Sequence, residues 1–133
     1  MGQPAAKQGD QVVGVDTHIV MVPAPPGSPV PTPLPHPFAG MLDASLSTDV
    51  KIMGMAAAVV GSMASNQPPH IPTPPGVSFQ VPPTNKGTIL QGSSTVMINN
   101  KPAARNGDTA QTCGEPPNMS STVIAVGTVM IGG

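Results

Sequence analysis

The sequence is poor in charge, aromatic rings and cysteine. Of its 133 residues 8% are charged, the formal net charge is −1, two residues are aromatic and one is cysteine. Near-neutral charge gives no electrostatic basis for binding nucleic acid, which requires a basic surface. A single cysteine excludes an internal disulfide. A chain of this size therefore needs a bound metal, an oligomer or a docking partner as an additional source of stability.

Long apolar runs and targeting signals are also missing. The longest uncharged apolar stretch, Ile52–Ala64, has 13 residues, whereas a membrane span needs roughly 20. The start of the chain, Met1–Pro4, lacks a basic segment followed by an apolar run, as a signal peptide would have. We therefore expect synthesis in the cytosol without a signal peptide.

Proline and glycine, in contrast, are abundant, with 19 and 15 residues. This content is typical of low-complexity or disordered chains. Disorder, however, usually accompanies high net charge and few aliphatic residues, which is the opposite of this composition. The composition therefore favours a compact, rigid domain. Its core of Val, Ile, Met and Ala has little bulk, so hydrophobic burial alone would leave such a domain marginally stable.

One sequence pattern occurs three times. Residues 94–108 read STVMINNKPAARNGD, and residues 48–62 read TDVKIMGMAAAVVGS in the same register. The third copy is divided between residues 128–133 and residues 4–10. A repeat divided by the termini predicts that the two ends of the chain meet and that the copies close into a ring.

Each copy predicts a strand, a turn and a returning segment. Ser94–Ile98 alternates as a strand does, and Asn99-Asn100 tolerates the positive φ of a hairpin turn. A helix is the alternative for Met53–Ala64, because Ala and Met favour helices. Its alignment with the copy that contains Pro102 argues against that. We expect one all-β domain over residues 1–133, small, built of short strands and hairpins, with internal pseudo-threefold symmetry.

Two proline-rich insertions, residues 23–37 and 68–83, separate the copies. They contain eight and seven prolines, and runs such as Pro31–Pro35 are typical of polyproline II. A flexible linker or a ligand for another domain is the alternative, which would make the protein a proline-rich adaptor. Because both insertions lie between copies of a closed repeat, we expect ordered loops that form walls of the domain.

The three histidines and the cysteine form a candidate metal site. His18 and His70 each lie nine residues after a repeat glycine, and Cys113 lies six residues after another. A threefold arrangement would bring these positions together, and His36 can supply a fourth ligand. Four nitrogen and sulfur donors are the set of a closed, structural zinc site. A small zinc enzyme is the alternative, and it would need an open coordination position and a nearby acid or base.

The motif in residues 96–108, VMINNKPAARNGD, resembles the Pro-Ala-Ala-Arg repeat that names the PAAR proteins. Residues 4–10, PAAKQGD, are a second match with Lys in place of Arg. The middle copy departs from the motif, with MAAAV at residues 55–59. The resemblance covers the layout of the whole chain, and the long proline-rich insertions look like those of the PAAR-like branch.

This resemblance implies a pointed cone at the tip of a contractile injection system, either a type VI secretion system or a phage-tail-like particle. Its base would cap a trimeric β-helical spike protein (VgrG-like or tail-spike-like), one copy per trimer. The family's apical zinc, held by three histidines and one cysteine, would fall on His18, His36, His70 and Cys113.

The same resemblance implies a structural protein and not an enzyme. It would be made in the bacterial cytoplasm and delivered outside the producing cell or into a target cell as part of the particle. During membrane puncture it would contact the target membrane transiently, and effector cargo would be a further partner.

Overall fold

The computed structural model describes residues 2–24 and 27–132, which contain strands and no helix. The prediction of a small all-β domain is confirmed, and the helical alternative for Met53–Ala64 is wrong. No segment in the described ranges is a helix that could cross a membrane. Met1, Pro25, Pro26 and Gly133, which the sequence analysis included in the domain, the first insertion and the third copy, lie outside the described residues.

Thirteen strands occur in the part of the chain that the structure describes. They are β1 (Gln3–Pro4), β2 (Gln11–Val22), β3 (Val30–Ala44), β4 (Lys51–Ile52), β5 (Met55–Ala56), β6 (Met63–Asn66), β7 (Ser78–Phe79), β8 (Lys86–Ile89), β9 (Met97–Ile98), β10 (Lys101–Pro102), β11 (Thr109–Thr112), β12 (Asn118–Ile124) and β13 (Met130–Ile131). Seven form one sheet in the order β12-β11-β8-β6-β3-β2-β7, and β12 also pairs with β2. Six strands therefore close on themselves, and β7 lies beside the outer part of β2.

The other six strands form three hairpins, β4–β5, β9–β10 and β1–β13. In the last of these Gln3 pairs with Ile131, which confirms the prediction that the two ends of the chain meet. The turn residues Met53-Gly54 and Asn99-Asn100 have φ values between 51° and 82°. Positive φ at both central residues defines the type I′ hairpin turn.

Three alanines form a closed cycle of backbone hydrogen bonds between the copies of the repeat. The N–H of Ala6 donates to the carbonyl of Ala104 at 2.9 Å, that of Ala104 to Ala58 at 3.0 Å, and that of Ala58 to Ala6 at 3.0 Å. All three side chains are fully buried. Three backbones approach each other closely here, which explains why each copy of the repeat carries small residues at this position.

The repeat glycines connect this cycle to the closed sheet. Gly9, Gly61 and Gly107 have φ values of 92°, 97° and 90°, a region that favours glycine. Their N–H groups donate to the carbonyls of Leu42, Ile89 and Val123 in the sheet at 3.0, 2.9 and 2.8 Å. The same contact is therefore made three times, once from each copy.

The residue that follows each repeat glycine accepts a hydrogen bond from the backbone three positions earlier. The three bonds are Lys7 N–H to Asp10 Oδ2 at 3.0 Å, Val59 N–H to Ser62 Oγ at 3.0 Å, and Arg105 N–H to Asp108 Oδ2 at 2.7 Å. Two of these acceptors also form ion pairs, Lys7 with Asp10 and Arg105 with Asp108. Both cations are largely buried.

Two buried clusters fill the interior. One lies between the hairpins and combines the equivalent isoleucines Ile52, Ile98 and Ile131 with small residues of the repeat. The other fills the closed sheet and includes Phe38, Leu42 and Ile89. We call the three hairpins with the alanine cycle the base. The outer half of the β2–β3 hairpin, with the segments packed on it, is called the apex.

The second half of the first proline-rich insertion, residues 30–37, is a strand and not a polyproline II loop. Pro31, Pro33, Pro35 and Pro37 lie within β3, opposite alternate residues of β2. On that strand Ile19 and Met21 direct their carbonyls away from β3, to Gln80 and Val77. The backbone nitrogens of the prolines opposite them therefore also point away from β2. The β2–β3 ladder loses no hydrogen bond, although proline has no N–H.

The second insertion follows the same hairpin. Its strand β7 pairs with Val20 and Met21 of β2. A turn precedes the strand, in which the N–H of Gly76 donates to the carbonyl of Thr73 at 2.8 Å. Both insertions therefore contribute ordered backbone to the apex.

Candidate metal centre

The apex contains a buried cluster of side chains that can bind a metal. Asp16 and His18 lie on one face of β2, because alternate residues of a strand share a face. His70 comes from the segment after β6, and Cys113 follows β11 directly. One potential ligand atom from each of the four residues lies within 4.8 Å of the others. The structure therefore brings together three of the sequence-predicted ligands and adds Asp16.

Asp16 lies at the centre of this cluster. Its Oδ2 is 3.1 Å from Nε2 of His70 and 3.3 Å from Sγ of Cys113. Cys113 Sγ is in turn 3.5 Å from Nε2 of His18. These are contacts between polar atoms in a region that excludes water, since Asp16 and His18 are 0% and 1% exposed.

The ring of His18 is held from its far side by a carboxylate. Its Nδ1 lies 3.2 Å from Oε2 of Glu115, which also accepts the N–H of Ile19 at 3.1 Å. This contact keeps the proton of a neutral ring on Nδ1 and leaves the lone pair of Nε2 directed at the cluster. Histidine ligands of metals are commonly oriented by a carboxylate in this way.

The carboxylate of Asp16 is oriented by one hydroxyl group, which a second hydroxyl contacts in turn. Thr112 Oγ1 donates to Oδ1 of Asp16, and the same hydroxyl lies 2.8 Å from Oγ of Ser121. All three residues are almost fully buried. Oδ1 is therefore engaged by Thr112, while Oδ2 faces His70 and Cys113.

His70 is held by two asparagines. Its backbone N–H donates to Oδ1 of Asn85 at 2.8 Å, and its Nδ1 lies 3.1 Å from Nδ2 of Asn66. The side-chain oxygen Oδ1 of Asn66 accepts the N–H of Ala39 at 2.9 Å. The ring is thus fixed in position with Nε2 toward Asp16.

His36 lies beside the cluster, but both of its nitrogens have other partners. Its ring centroid is 5.3 Å from that of His18 and 5.6 Å from that of His70. Nδ1 donates to the carbonyl of Leu34 at 2.9 Å, and Nε2 accepts the N–H of Thr73 at 3.1 Å. Burial lowers the pKa of His36 below its ordinary value, which favours this neutral, doubly hydrogen-bonded ring. The structure does not bring His36 into the set of four.

Burial, followed by the neighbouring Asp16 carboxylate, raises the pKa of Cys113 to about 11. Both causes disfavour the thiolate, since a second negative charge would be placed in a buried site. A divalent cation between the two groups would reverse this balance, because a coordinating thiol is deprotonated by the metal.

The donors of the cluster fit a zinc ion. Two imidazole nitrogens, one sulfur and one carboxylate oxygen belong to the ligand types that zinc uses, and four of them complete a tetrahedral site. Calcium and magnesium prefer oxygen ligands alone. The chemistry of the residues therefore agrees with a structural transition-metal site at the apex.

Asp16 was missed in the sequence analysis although a signal for it was present. In a strand, Asp16 and His18 share a face, and Val12 and Val20 on that face are buried as well. A carboxylate between apolar residues on a buried face requires a partner. The alternation of β2 could therefore have identified Asp16 as a member of the site.

Comparison with known protein families gives one result. The sequence profile of the family described as the PAAR motif matches residues 35–114 and residues 79–133. Together these ranges cover most of the chain, including two copies of the repeat, His36, His70 and Cys113. A search of curated proteins found no match.

Proposed function

Because the chain belongs to the PAAR motif family, whose motif indicates a structural role at the spike tip of contractile injection systems, we propose that it caps the trimeric β-helical spike of such a machine. Its base would sit on the blunt end of the spike, and its apex would point toward the target membrane. Type VI secretion systems and phage-tail-like particles are the two candidate machines. The threefold base is the observation that carries this proposal.

The base presents apolar side chains that a partner could cover. Met97 and Met130 occupy the equivalent position in two hairpins and are 56% and 57% exposed. The middle hairpin has Lys51 at that position and exposes Met53 instead, to 54%. Contiguous exposed apolar surface is typical of interaction sites, and methionine adapts to the shape of its partner.

Symmetry supports a stoichiometry of one chain per spike trimer. A single chain carries three hairpins around one cycle of hydrogen bonds, formed by Ala6, Ala58 and Ala104. A partner with three identical subunits offers three equivalent surfaces around its axis. One copy of the base can therefore place one hairpin on each of the three subunits.

A metal at the apex would serve stability and not catalysis. His18, His70 and Cys113 supply three ligands, and a fourth protein ligand leaves no open position for a substrate. Binding free energy of a structural metal adds to folding free energy. A tip that concentrates force on a membrane benefits from this, because it must not unfold under load. The protein would travel as part of the particle, with any effector cargo attached to that assembly.

Docking is tested with the trimeric spike protein of the same particle. Native mass spectrometry should detect one full-length chain bound to three spike subunits. Met97→Glu combined with Met130→Glu should weaken binding at least tenfold, because both changes place a charge in an apolar interface. Met119→Glu, at a position that is 56% exposed on β12, is the matched control. Absence of a complex, or an equal loss in the control, would contradict the proposal.

The metal is tested by elemental analysis of the purified chain. We expect about one zinc per chain, lost in Cys113→Ser and in His70→Ala, with a lower melting temperature in both variants. At a free metal concentration of 1,000 times Kd, binding stabilises the folded state by about 4 kcal/mol. A stably folded chain without metal would remove the zinc from the proposal and leave docking to be judged separately.

A further inference from the structure

We propose that Glu115 is a positioning residue of the apical metal site. It holds the ring of His18 and the segment that carries Cys113 in the arrangement that a shared metal requires. This inference deepens the proposed function, because it rests on the metal proposed there. It concerns these two ligands and does not depend on which residue completes the set.

Glu115 attaches the segment between β11 and β12 to three consecutive residues of β2. Its N–H donates to the carbonyl of Thr17 at 2.7 Å. Its Oε2 lies 3.2 Å from Nδ1 of His18 and accepts the N–H of Ile19 at 3.1 Å. One residue therefore fixes both the backbone of the segment and the imidazole of the neighbouring strand.

The thiol lies on the same segment, two residues before Glu115. Cys113 Sγ is 3.5 Å from Nε2 of His18. Zinc binds nitrogen and sulfur at about 2.0–2.3 Å, so two ligands of one tetrahedral ion lie about 3.3–3.7 Å apart. The contacts of Glu115 thus hold one imidazole and one thiol at the separation that a common metal needs.

Gly114, between the thiol and the carboxylate, lies very close to its surroundings. An added Cβ would come within 2.9 Å of the carbonyl oxygen of Pro116 and 3.4 Å of the nitrogen of Thr17. The segment therefore has little room to move relative to β2. Cys113 and Glu115 are positioned together, and a change in the anchoring of one should reach the other.

The charge of the Glu115 carboxylate suits a ring that binds a cation. The side chain of His18 is 1% exposed, whereas that of Glu115 is 27% exposed and partly hydrated. A metal on Nε2 withdraws electron density from the ring, which makes its Nδ1–H a better donor, and hydrogen bonds to an ionised acceptor are the stronger ones. The corresponding nitrogens of the other two histidines contact a backbone carbonyl and a side-chain amide.

Competition with a chelator on the full-length chain measures the contribution of Glu115. Glu115→Ala should weaken zinc binding about 10–100-fold, the range typical of groups that orient metal ligands. Asn118→Ala is the matched control. The side chain of Asn118 also ties this part of the chain to β2, through the carbonyl of Val15 at 2.9 Å, and its other described bonds are with Ser120. The control should weaken binding by less than about 10-fold. Equal losses in the two variants would overturn the proposal.

Thermal unfolding with and without zinc separates a positioning role from a merely structural one. Both variants should melt earlier than the wild type in the absence of zinc, because each loses hydrogen bonds. The rise in melting temperature on addition of zinc should be smaller in Glu115→Ala and unchanged in Asn118→Ala. A rise in Glu115→Ala equal to that of the wild type would mean that Glu115 supports the fold alone, which would overturn the proposal.

The conservative variant Glu115→Gln tests the two parts of the argument. Both N–H groups contact the same oxygen, Oε2, so the single oxygen of an amide can accept both, although the charge is lost. Zinc affinity should therefore lie between those of the wild type and Glu115→Ala. Affinity as low as in Glu115→Ala would contradict the positional part, and affinity equal to the wild type would contradict the part played by charge. If Glu115→Ala does not fold, the comparison of Glu115→Gln with the wild type still decides.

Failure of this inference can be distinguished from failure of the proposed function. Zinc binding that Glu115→Ala leaves unchanged would overturn the role of Glu115 and keep the structural metal. A chain that binds no zinc would overturn both. Docking on the spike is judged by its own experiment in either case.

Discussion

The base and the apex of this domain are stabilised in different ways. In the base, backbone groups make the same contacts three times, and the side chains are small, as in the cycle of Ala6, Ala58 and Ala104. In the apex, side chains from distant segments make additional contacts that differ from one another, such as the Asp16–His70 and His18–Glu115 pairs. A repeated sequence thus produces a base with three similar hairpins around one cycle of hydrogen bonds. The insertions between the repeats provide a single asymmetric site.

Phe38 connects the core of the closed sheet with the side-chain cluster of the apex. Phe38 is 1% exposed, belongs to the core of the closed sheet, and has its ring centroid 6.1 Å from that of His70. Its ring lies against Gly40 and Gly87, where an added Cβ would come within 2.7 and 3.3 Å of it. The two glycines therefore make room for the one large aromatic side chain of the core.

Truncation of the Phe38 side chain should have the largest effect on the stability of the domain. Phe38→Ala should lower the free energy of unfolding by about 3–5 kcal/mol, because it leaves a cavity in the closed sheet. Chemical denaturation with added zinc measures the change. Phe79→Ala is the control, since Phe79 is only half-buried against His18 and His36, and it should cost clearly less. Equal losses would show that the connection does not depend on Phe38.

A change on the axis of the base should have an intermediate effect. Ala58→Val adds two methyl groups where three backbones meet, and overpacking of this kind costs about 1–3 kcal/mol. The loss should appear in thermal unfolding and in docking on the spike, while zinc affinity stays unchanged. Ala56→Val, two residues earlier and half-buried, is the matched control and should be nearly neutral. A parallel loss of zinc affinity would mean that base and apex are coupled.

The smallest effect should come from exchanging equivalent acceptors between copies of the repeat. Asp108 and Ser62 accept the same backbone hydrogen bond in two copies, from Arg105 and Val59. Asp108→Ser should keep this bond and lose the ion pair with Arg105, which is largely buried but also donates to the carbonyl of Gly132, so it should destabilise the domain less than Asp108→Ala does. Asp108→Ala loses both and should cost about 1–3 kcal/mol. Equal stability of the two variants would contradict this, because it would mean that a side-chain acceptor for the N–H of Arg105 does not contribute to stability.

The sequence predicted the base well because its pattern is local and repeated. The turn at Asn99-Asn100 and the split third copy correspond to an observed turn and hairpin, whereas of the strand predicted over Ser94–Ile98 only Met97–Ile98 is observed. The last of the consecutive alanines in each copy is the residue that takes part in the alanine cycle. Repetition confers redundancy, so one ambiguous copy, such as Met53–Ala64, is interpreted correctly from the other two.

The apex was predicted less completely because its contacts join distant parts of the chain. Asp16 and His70 are 54 residues apart, and no local spacing relates them. The strand character of Val30–Pro37 was missed for a different reason. Prolines at every second position match the period of a strand, whereas polyproline II has three residues per turn, so the spacing and not the proline count was the informative signal.

The prolines of β3 also affect how the protein behaves at high concentration. An exposed strand edge usually offers donors and acceptors to another chain and is therefore a starting point for aggregation. Along residues 31–37 the outward-facing positions are prolines, so this edge offers carbonyls and no N–H donors. A second strand cannot form a complete ladder against it. This long edge of β3 is therefore protected from pairing with a strand of another copy of the chain.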